Sequence, residues 1–184
     1  MPWTPPSPPS RARASCRRRS ARTPRSTAPC RSAGARPIHS PPRWPTCCGC
    51  CGWRPAMRVL DVGAGSGWTT ALLAHLVGPR GQVHGVERVP ELVRFGADNL
   101  AATGQPWARI VAAESGVFGL PALAPFDRIL VSAEADALPQ GLLDQLADGG
   151  LMVIPVGGTM QRVQRRGADI DVSEHGGYRF VPLL

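Results

Sequence analysis

The stretch "MRVLDVGAGSGW", residues 57 to 68, limits the fold more than any other part of this 184-residue chain. It begins as a mostly apolar strand and ends in a loop with glycines at positions 63, 65 and 67. Apolar residues then recur at helical spacing from Trp68 to Val77, and Gly78-Pro79 ends that run. A buried strand that turns through glycines into a helix is typical of α/β folds.

Strands and helices continue to alternate after this unit. A second strand is predicted at 82–87, and a helix begins at Pro90 and ends before Gly104. Residues 159–184 alternate like antiparallel strands, so we place them at the far edge of the sheet. The alternation predicts a mostly parallel sheet with both faces covered. The other predicted elements are strands at 108–113, 126–133 and 151–157 and a helix at 139–146.

The spacing of the glycines indicates which ligand the loop binds. A dinucleotide-binding loop has glycines at its first, third and sixth positions. Counted from Gly63, the sixth position is Trp68, and the third glycine comes at the fifth position as Gly67. This shorter spacing after an acid, in "VLDVG", is the pattern of nucleoside-dependent methyltransferases, whose cofactor has no pyrophosphate. Its cationic sulfonium and amino-acid part would lie against glycine backbone, where a larger side chain would clash.

Two acids at strand ends fit such a cofactor. Asp61, at the end of the first strand, can favour the positive charge of the cofactor. Glu87 closes the second strand, and its carboxylate can accept hydrogen bonds from both ribose hydroxyls of an adenosine. The alternative is that both acids only cap helices. The glycine spacing together with two acids in these places favours the cofactor interpretation.

Residues 1–56 differ in composition from the rest, with eleven arginines and no acid against ten arginines and thirteen acids in 57–184. We predict a disordered tail over 1–52 and a folded domain over 53–184. A basic tail can bind nucleic acid through phosphates, but without interleaved aromatic residues nucleic-acid binding is only an alternative function. No stretch reaches transmembrane length, and all six cysteines lie in the tail. We therefore expect a cytoplasmic protein with no membrane contact.

Four cysteines of the tail lie close together in sequence and raise the question of a metal site: Cys47, Cys48, Cys50 and Cys51. Their spacing argues against one. Zinc sites usually draw two pairs of ligands from separate turns, and no second cysteine or histidine pair follows here. We predict no metal. The chain has no lysine and is rich in residues with GC-rich codons, and a shifted reading frame turns the cysteine codons into those of a leucine-rich amphipathic helix. Our hypothesis is that residues 1–52 are an out-of-frame translation of an ordered part of the fold.

Residues 53–184 resemble the protein-L-isoaspartate O-methyltransferase family. The likeness lies in "MRVLDVGAGSGWTTALLAHLVGPRGQVHGVERVPELVRFGADNL", "GLPALAPFDRILVSAEADALPQGLLDQLADGGLMVIPVG" and "RFVPLL". The resemblance implies a Rossmann-like, doubly wound α/β domain that binds S-adenosylmethionine and methylates the free α-carboxyl of isoaspartyl residues in damaged proteins. We expect it to act as a monomer. The predicted cofactor-binding residues are Asp61, Val62, Gly63, Ala64, Gly65, Ser66, Gly67, Glu87, Arg88, Glu114, Ser115 and Gly116.

Two departures from the family pattern concern the substrate and the adenine. The family has a Ser-Gln-Pro motif ahead of the first strand that supplies a hydroxyl to the substrate carboxylate. This chain has "IHSPP" there, so Ser40 is not given that role, no catalytic residue is predicted and little or no turnover is expected. Where the family has an acid-glycine pair for the adenine, Ser115 or Glu114 is the expected contact. A methyltransferase of another substrate is the alternative enzyme. Three histidines are predicted to be surface residues and not ligands: His75, His84 and His175.

Overall fold

The protein is described by a computed structural model over residues 56–183. The predicted tail over 1–52, its cysteines and the out-of-frame hypothesis lie outside the described residues. The elements are β1 (Arg58–Val62), α1 (Trp68–Val77), β2 (Gln82–Glu87), α2 (Pro90–Ala101), β3 (Ala108–Ala112), a 3-10 helix (Pro121–Leu123), β4 (Phe126–Val131), α3 (Gln140–Leu143), β5 (Leu146–Val156), β6 (Thr159–Arg166) and β7 (Asp169–Gly177).

The seven strands form one sheet in the order β3-β2-β1-β4-β5-β6-β7. The pairs from β3 across to β5 are parallel, and the β5–β6 and β6–β7 pairs are antiparallel. This confirms the predicted α/β, Rossmann-like sheet, mostly parallel with an antiparallel C-terminal edge. Strand β1 lies between β2 and β4, so Leu60 is in register with His84 on one side and with Ile129 on the other. The strand that leads into the glycine loop is therefore central.

Both faces of β1 are buried, which explains why its sequence is apolar without strict alternation. Val59 belongs to a cluster with Leu73 and Ala74 of α1. Leu60 belongs to the main core cluster on the other face, with Phe126 and Ile129 among its members. Packing on both faces holds the strand in place, and this sets the position of the glycine loop that follows its carboxyl end.

The region before β5 differs from the predicted pattern. The helix predicted at 139–146 is the four-residue α3, and β5 begins at Leu146, five residues ahead of the predicted strand. The backbone explains the change, because the carbonyl of Gln145 accepts a hydrogen bond from the N–H of Phe126 at 2.8 Å and Phe126 pairs with Leu146. This pairing places Leu146 in the sheet directly after α3, so the helix cannot continue to residue 146.

The prediction that His84 lies on the surface is wrong. Its side chain is 6 % exposed, because β2 runs between β1 and β3 and the imidazole meets the ring of Phe126 at 6.1 Å. Its Nδ1 accepts a hydrogen bond from Nε of Arg109 at 3.0 Å. Burial, and to a smaller extent the charges of Arg109 and Arg58, together lower the pKa of His84 from its ordinary 6.5 to about 4. His75 and His175 are exposed as predicted.

Candidate active site

The carboxyl ends of β1 and β4 form the point where the strand order of the sheet reverses. From β1 the chain proceeds to β2 on one side, whereas β4 lies on the other side. The N–H of Ser132, directly after β4, donates to the carbonyl of Val62 at the end of β1 at 2.8 Å. Open parallel sheets bind ligands in the crevice at such a switch point. We define the crevice as the space between the glycine loop, Gly63–Gly67, and the residues after β4, Ser132–Ala135.

All three glycines of the loop have a positive φ, at 82° for Gly63, 52° for Gly65 and 79° for Gly67. Side chains rarely adopt this backbone conformation, so the loop shape itself requires glycine. Gly67 is also sterically closed, because a Cβ there would lie 2.5 Å from the carbonyl oxygen of Gly96 in α2. A Cβ on Gly65 would meet nothing nearer than 4.0 Å. The loop is therefore packed tightly against the domain on one side and has free space on the other.

Glu87 joins the end of β2 to the glycine loop. Its Oε2 accepts the N–H of Gly65 at 2.9 Å, and its Oε1 accepts the N–H groups of Arg88 at 2.7 Å and Val89 at 2.9 Å. The side chain is 8 % exposed. A carboxylate has about four acceptor positions, so room for a further donor remains. The contacts bring Glu87 and the loop together, and the bonds to Arg88 and Val89 hold the chain directly ahead of α2, which begins at Pro90.

Asp61 lies beneath the loop with no exposed surface. Its Oδ2 accepts a hydrogen bond from the hydroxyl of Thr70 at 2.7 Å, and its Oδ1 has no partner within residues 56–183. Burial raises the pKa of Asp61, the Thr70 bond opposes this rise and the charge of Glu87 adds to it, and together they bring the pKa from its ordinary 3.8 to about 6. From this buried position the carboxylate can act on a bound cation through its field or through a water molecule.

The remaining predicted residues divide into buried and exposed positions. Val62 and Ala64 are buried, so they present only their backbone to the crevice. Ser66 is exposed, and its carbonyl accepts a hydrogen bond from Nδ2 of Asn99 at 3.0 Å. Arg88 is exposed directly after Glu87. These positions continue the rim of the loop without supplying a further buried charge.

Glu114, Ser115 and Gly116 lie in an exposed turn after β3. The N–H of Val117 donates to the carbonyl of Glu114 at 3.1 Å and closes this turn. The N–H of Ala113 donates to the carbonyl of Glu87 at 2.8 Å, so the turn begins beside the end of β2. The structure thus places the predicted adenine contacts at the carboxyl end of β3, the strand next to β2, which ends at Glu87.

Three residues near the site were not predicted from the sequence. Gly96 in α2 faces the loop so closely that a Cβ would lie 2.5 Å from the carbonyl oxygen of Gly65, and a glycine inside a predicted helix was the available signal. Gln145 is buried and holds the loop after β3 through Phe118 and Leu120. Glu134 follows β4 and holds two distant backbone segments.

The described part of the chain contains no group of three His, Cys, Asp or Glu side chains placed to hold a metal ion. None of the helices within residues 56–183 combines the length and apolar character needed to cross a membrane.

Comparison with known proteins adds a family and several relatives. The family model described as protein-L-isoaspartate(D-aspartate) O-methyltransferase matches residues 27–184. A protein-L-isoaspartate O-methyltransferase of Methanopyrus kandleri is 47 % identical over 136 residues, which are 71 % of this chain and 60 % of that protein. The enzyme of the same name from Pyrococcus horikoshii is 39 % identical over 137 residues, covering 71 % of this chain and 61 % of that protein. The chain thus spans about 60 % of the length of these curated relatives.

Two solved structures share the fold. One, named protein-L-isoaspartate O-methyltransferase, has a TM-score of 0.67 and 25 % identity, over 72 % of this chain and 43 % of that one. The other, from Plasmodium falciparum, is attributed to the same enzyme class and holds S-adenosyl-L-homocysteine. Its TM-score is 0.64 and its identity 28 %, over 72 % of this chain and 67 % of that one.

Proposed function

Since the chain belongs to the protein-L-isoaspartate(D-aspartate) O-methyltransferase family, we propose that it transfers a methyl group from S-adenosylmethionine to the free α-carboxylate of isoaspartyl residues in damaged proteins. The observation that carries the proposal is the glycine loop at the strand-order switch point, clamped by Glu87 through the N–H of Gly65. The S-adenosyl-L-homocysteine in the Plasmodium falciparum structure supports the cofactor.

The residues at the crevice fit this cofactor. The free side of Gly65 leaves room for its amino-acid part, where any side chain would stand in the way. Glu87 keeps acceptor capacity for ribose hydroxyls after its three backbone bonds. Oδ1 of buried Asp61, which has no hydrogen-bond partner among residues 56–183, supplies negative potential beneath the loop. When bound, the cofactor supplies a methyl group on a positively charged sulfur.

The work left to the protein is positioning. A carboxylate substrate is already ionised at neutral pH, because its unperturbed pKa is about 4, so no general base is needed. The loop glycines and Glu87 hold the cofactor at a fixed place at the carboxyl ends of β1 and β2. The residues after β4 then have to hold the substrate carboxylate in line with the reacting carbon and exclude water.

The test uses the full chain in two steps. Isothermal titration with S-adenosylmethionine and S-adenosylhomocysteine measures cofactor binding. Transfer of a radioactive methyl group is then measured on an isoaspartyl peptide and on the same peptide with normal aspartate. Binding with transfer to the isoaspartyl peptide alone supports the proposal. Binding without that transfer favours a methyltransferase of another substrate, and no binding at millimolar cofactor refutes both.

Three further expectations are part of the proposal. Transfer to the isoaspartyl peptide is expected to be slow, because the chain lacks the Ser-Gln-Pro motif of the family ahead of β1. Robust transfer would refute this expectation and leave the proposed function intact. The location of all six cysteines before residue 52 supports a cytoplasmic protein whose domain needs no disulfide. A monomer is checked by light scattering of the purified chain.

A further inference from the structure

Glu134 holds two backbone segments that are distant in sequence. Its Oε1 accepts the N–H of Gly158, in the turn between β5 and β6, at 2.8 Å. Its Oε2 accepts the N–H of Phe180, in the C-terminal segment, at 3.3 Å. The side chain is half-buried. One carboxylate therefore joins the residues after β4 to two other parts of the domain with charge-assisted hydrogen bonds.

The backbone around Glu134 reinforces this junction on both sides. The N–H of Glu134 donates to the carbonyl of Val181 at 2.7 Å, and its carbonyl accepts the N–H of Leu183 at 2.6 Å. On the other side the N–H of Ala135 donates to the carbonyl of Pro155 at 3.0 Å. Residues 134 and 135 thus form a short bridge between the C-terminal segment and the end of β5.

The position of this junction relates it to the crevice. Ser132, two residues before Glu134, contacts the end of β1 through the carbonyl of Val62. A Cβ on Gly63 would lie 3.6 Å from the backbone of Ser132. The junction at Glu134 and Ala135 therefore lies on the β4 side of the crevice, further from the glycine loop than Ser132. The C-terminal segment that it holds exposes apolar side chains, with Phe180 37 % and Val181 69 % exposed.

We infer that Glu134 positions the segment Phe180–Leu183 as the wall of the crevice that contacts the isoaspartyl peptide. This inference rests on the proposed function and names the substrate side of the same site. An extended peptide has to lie beside the carboxylate that is methylated, and exposed apolar side chains next to a ligand crevice give it a contact surface. Glu134 itself is a positioning residue, because both its oxygens are bonded to the backbone of the protein.

The test compares E134A, E134Q and the control D136N with the full-length wild type. Asp136 is exposed in the same loop, so D136N makes the same change of charge as E134Q away from the junction. The loss of both backbone bonds in E134A should raise the KM for an isoaspartyl peptide about tenfold while the Kd for S-adenosylhomocysteine stays within about twofold. E134Q keeps one acceptor oxygen and should give an intermediate KM. D136N should match the wild type.

Hydrogen exchange of the same proteins supplies a readout that does not depend on activity. Exchange over residues 178–183 should be faster in E134A than in D136N. An unchanged KM in a methylating enzyme, or equal exchange in E134A and D136N, overturns the inference. A KM that rises only together with the cofactor Kd indicates a structural role alone and also overturns it. If the wild type binds cofactor but methylates no isoaspartyl peptide, the proposed function fails, and so does the inference that Phe180–Leu183 contacts this peptide. The exchange data still decide whether Glu134 holds the segment.

Discussion

The hydroxyl of Thr70 donates a hydrogen bond to Oδ2 of Asp61 at 2.7 Å, and neither side chain has any exposed surface. The bond joins the end of β1 to the first turn of α1, across the base of the glycine loop. Because Oδ1 of Asp61 has no partner within residues 56–183, Thr70 is the only side chain of this part of the protein seen to stabilise the carboxylate by a hydrogen bond.

Replacing Thr70 with valine should destabilise the protein by about 1 to 3 kcal/mol, the cost of leaving a buried polar group without its partner. T70V preserves the shape of the side chain and removes the donor. The free energy of unfolding in urea measures the effect. T69V is the matched control, because Thr69 is only half-buried and the same change there should be nearly neutral. Equal losses in the two variants would contradict the importance of the Asp61 contact.

Asp61 and His84 should give opposite contributions to stability over nearly the same pH range. Asp61 has its pKa raised from 3.8 to about 6, so between these values the folded protein holds a proton that the unfolded chain has lost, and stability falls as pH rises. His84 has its pKa lowered from 6.5 to about 4, so there the unfolded chain binds the extra proton and stability rises with pH. Each slope is at most about 1.4 kcal/mol per pH unit.

Single substitutions should reveal each slope separately. D61N removes the carboxylate, and its stability should rise between pH 4 and 6.5 more steeply than that of the wild type. H84N keeps an acceptor for Arg109, and its stability should fall between pH 4 and 6 relative to the wild type. Unfolding in urea at several pH values measures both. Parallel curves for the two variants would show that neither group titrates as the structure indicates.

Alanine at Gly96 should destabilise the protein although alanine is the better helix former. The usual gain from glycine to alanine inside a helix is about 1 kcal/mol. At Gly96 the new Cβ would lie 2.5 Å from the carbonyl oxygen of Gly65, so either the loop or α2 has to move. We expect a net loss of about 1 to 3 kcal/mol and weaker binding of S-adenosylhomocysteine. G141A in α3 is the control, because nothing lies within 4 Å of its Cβ position and it should be neutral or slightly stabilising.

Gln145 should not tolerate replacement by glutamate. Its Oε1 accepts the N–H of Leu120 at 2.7 Å, and its Nε2 donates to the carbonyls of Phe118 at 2.7 Å and Gly141 at 2.6 Å. Glutamate has the same shape but leaves both carbonyls facing an acceptor. Since the site is buried, Q145E should cost about 3 kcal/mol or more, measured by urea unfolding. Q105E is the control, since the side-chain oxygen of Gln105 accepts the hydroxyl of Thr103 and glutamate keeps that acceptor. Similar stability of the two variants would refute the prediction.

The parts of the fold that were predicted correctly are those that depend on residues close together in the sequence. The strand, the three glycines and the following helix lie within about twenty residues, and their spacing alone predicted the loop and its position on the sheet. Glu87 was singled out from its place at the end of the second strand; the structure brings it to the N–H of Gly65, and its role toward a ribose stays a prediction. In contrast, the burial of His84 depends on strands on both sides of it, and the shortening of α3 depends on pairing of Phe126 with Leu146. Glu134 contacts a residue 46 positions away, which no local pattern encodes.

The replacement of Glu87 by glutamine separates its two roles at the site. Glutamine keeps one acceptor oxygen, so it cannot accept the N–H of Gly65 on one side and those of Arg88 and Val89 on the other. If Glu87 holds ribose hydroxyls, the affinity for S-adenosylhomocysteine should fall about tenfold or more, because a bidentate acceptor is lost. If it only holds the glycine loop and the chain ahead of α2, stability should fall while the affinity is unchanged.

A cofactor analogue without the 2′-hydroxyl makes this comparison sharper. The wild type should bind 2′-deoxy S-adenosylhomocysteine more weakly than the parent compound, whereas E87Q should bind the two about equally, because the lost partner is the same in both cases. E91Q is the matched control, since Glu91 in the first turn of α2 is exposed and, among residues 56–183, makes only a surface pair with Arg94 at 3.7 Å. A full preference for the parent compound retained in E87Q would show that another group holds the ribose and leave Glu87 as the clamp of the loop.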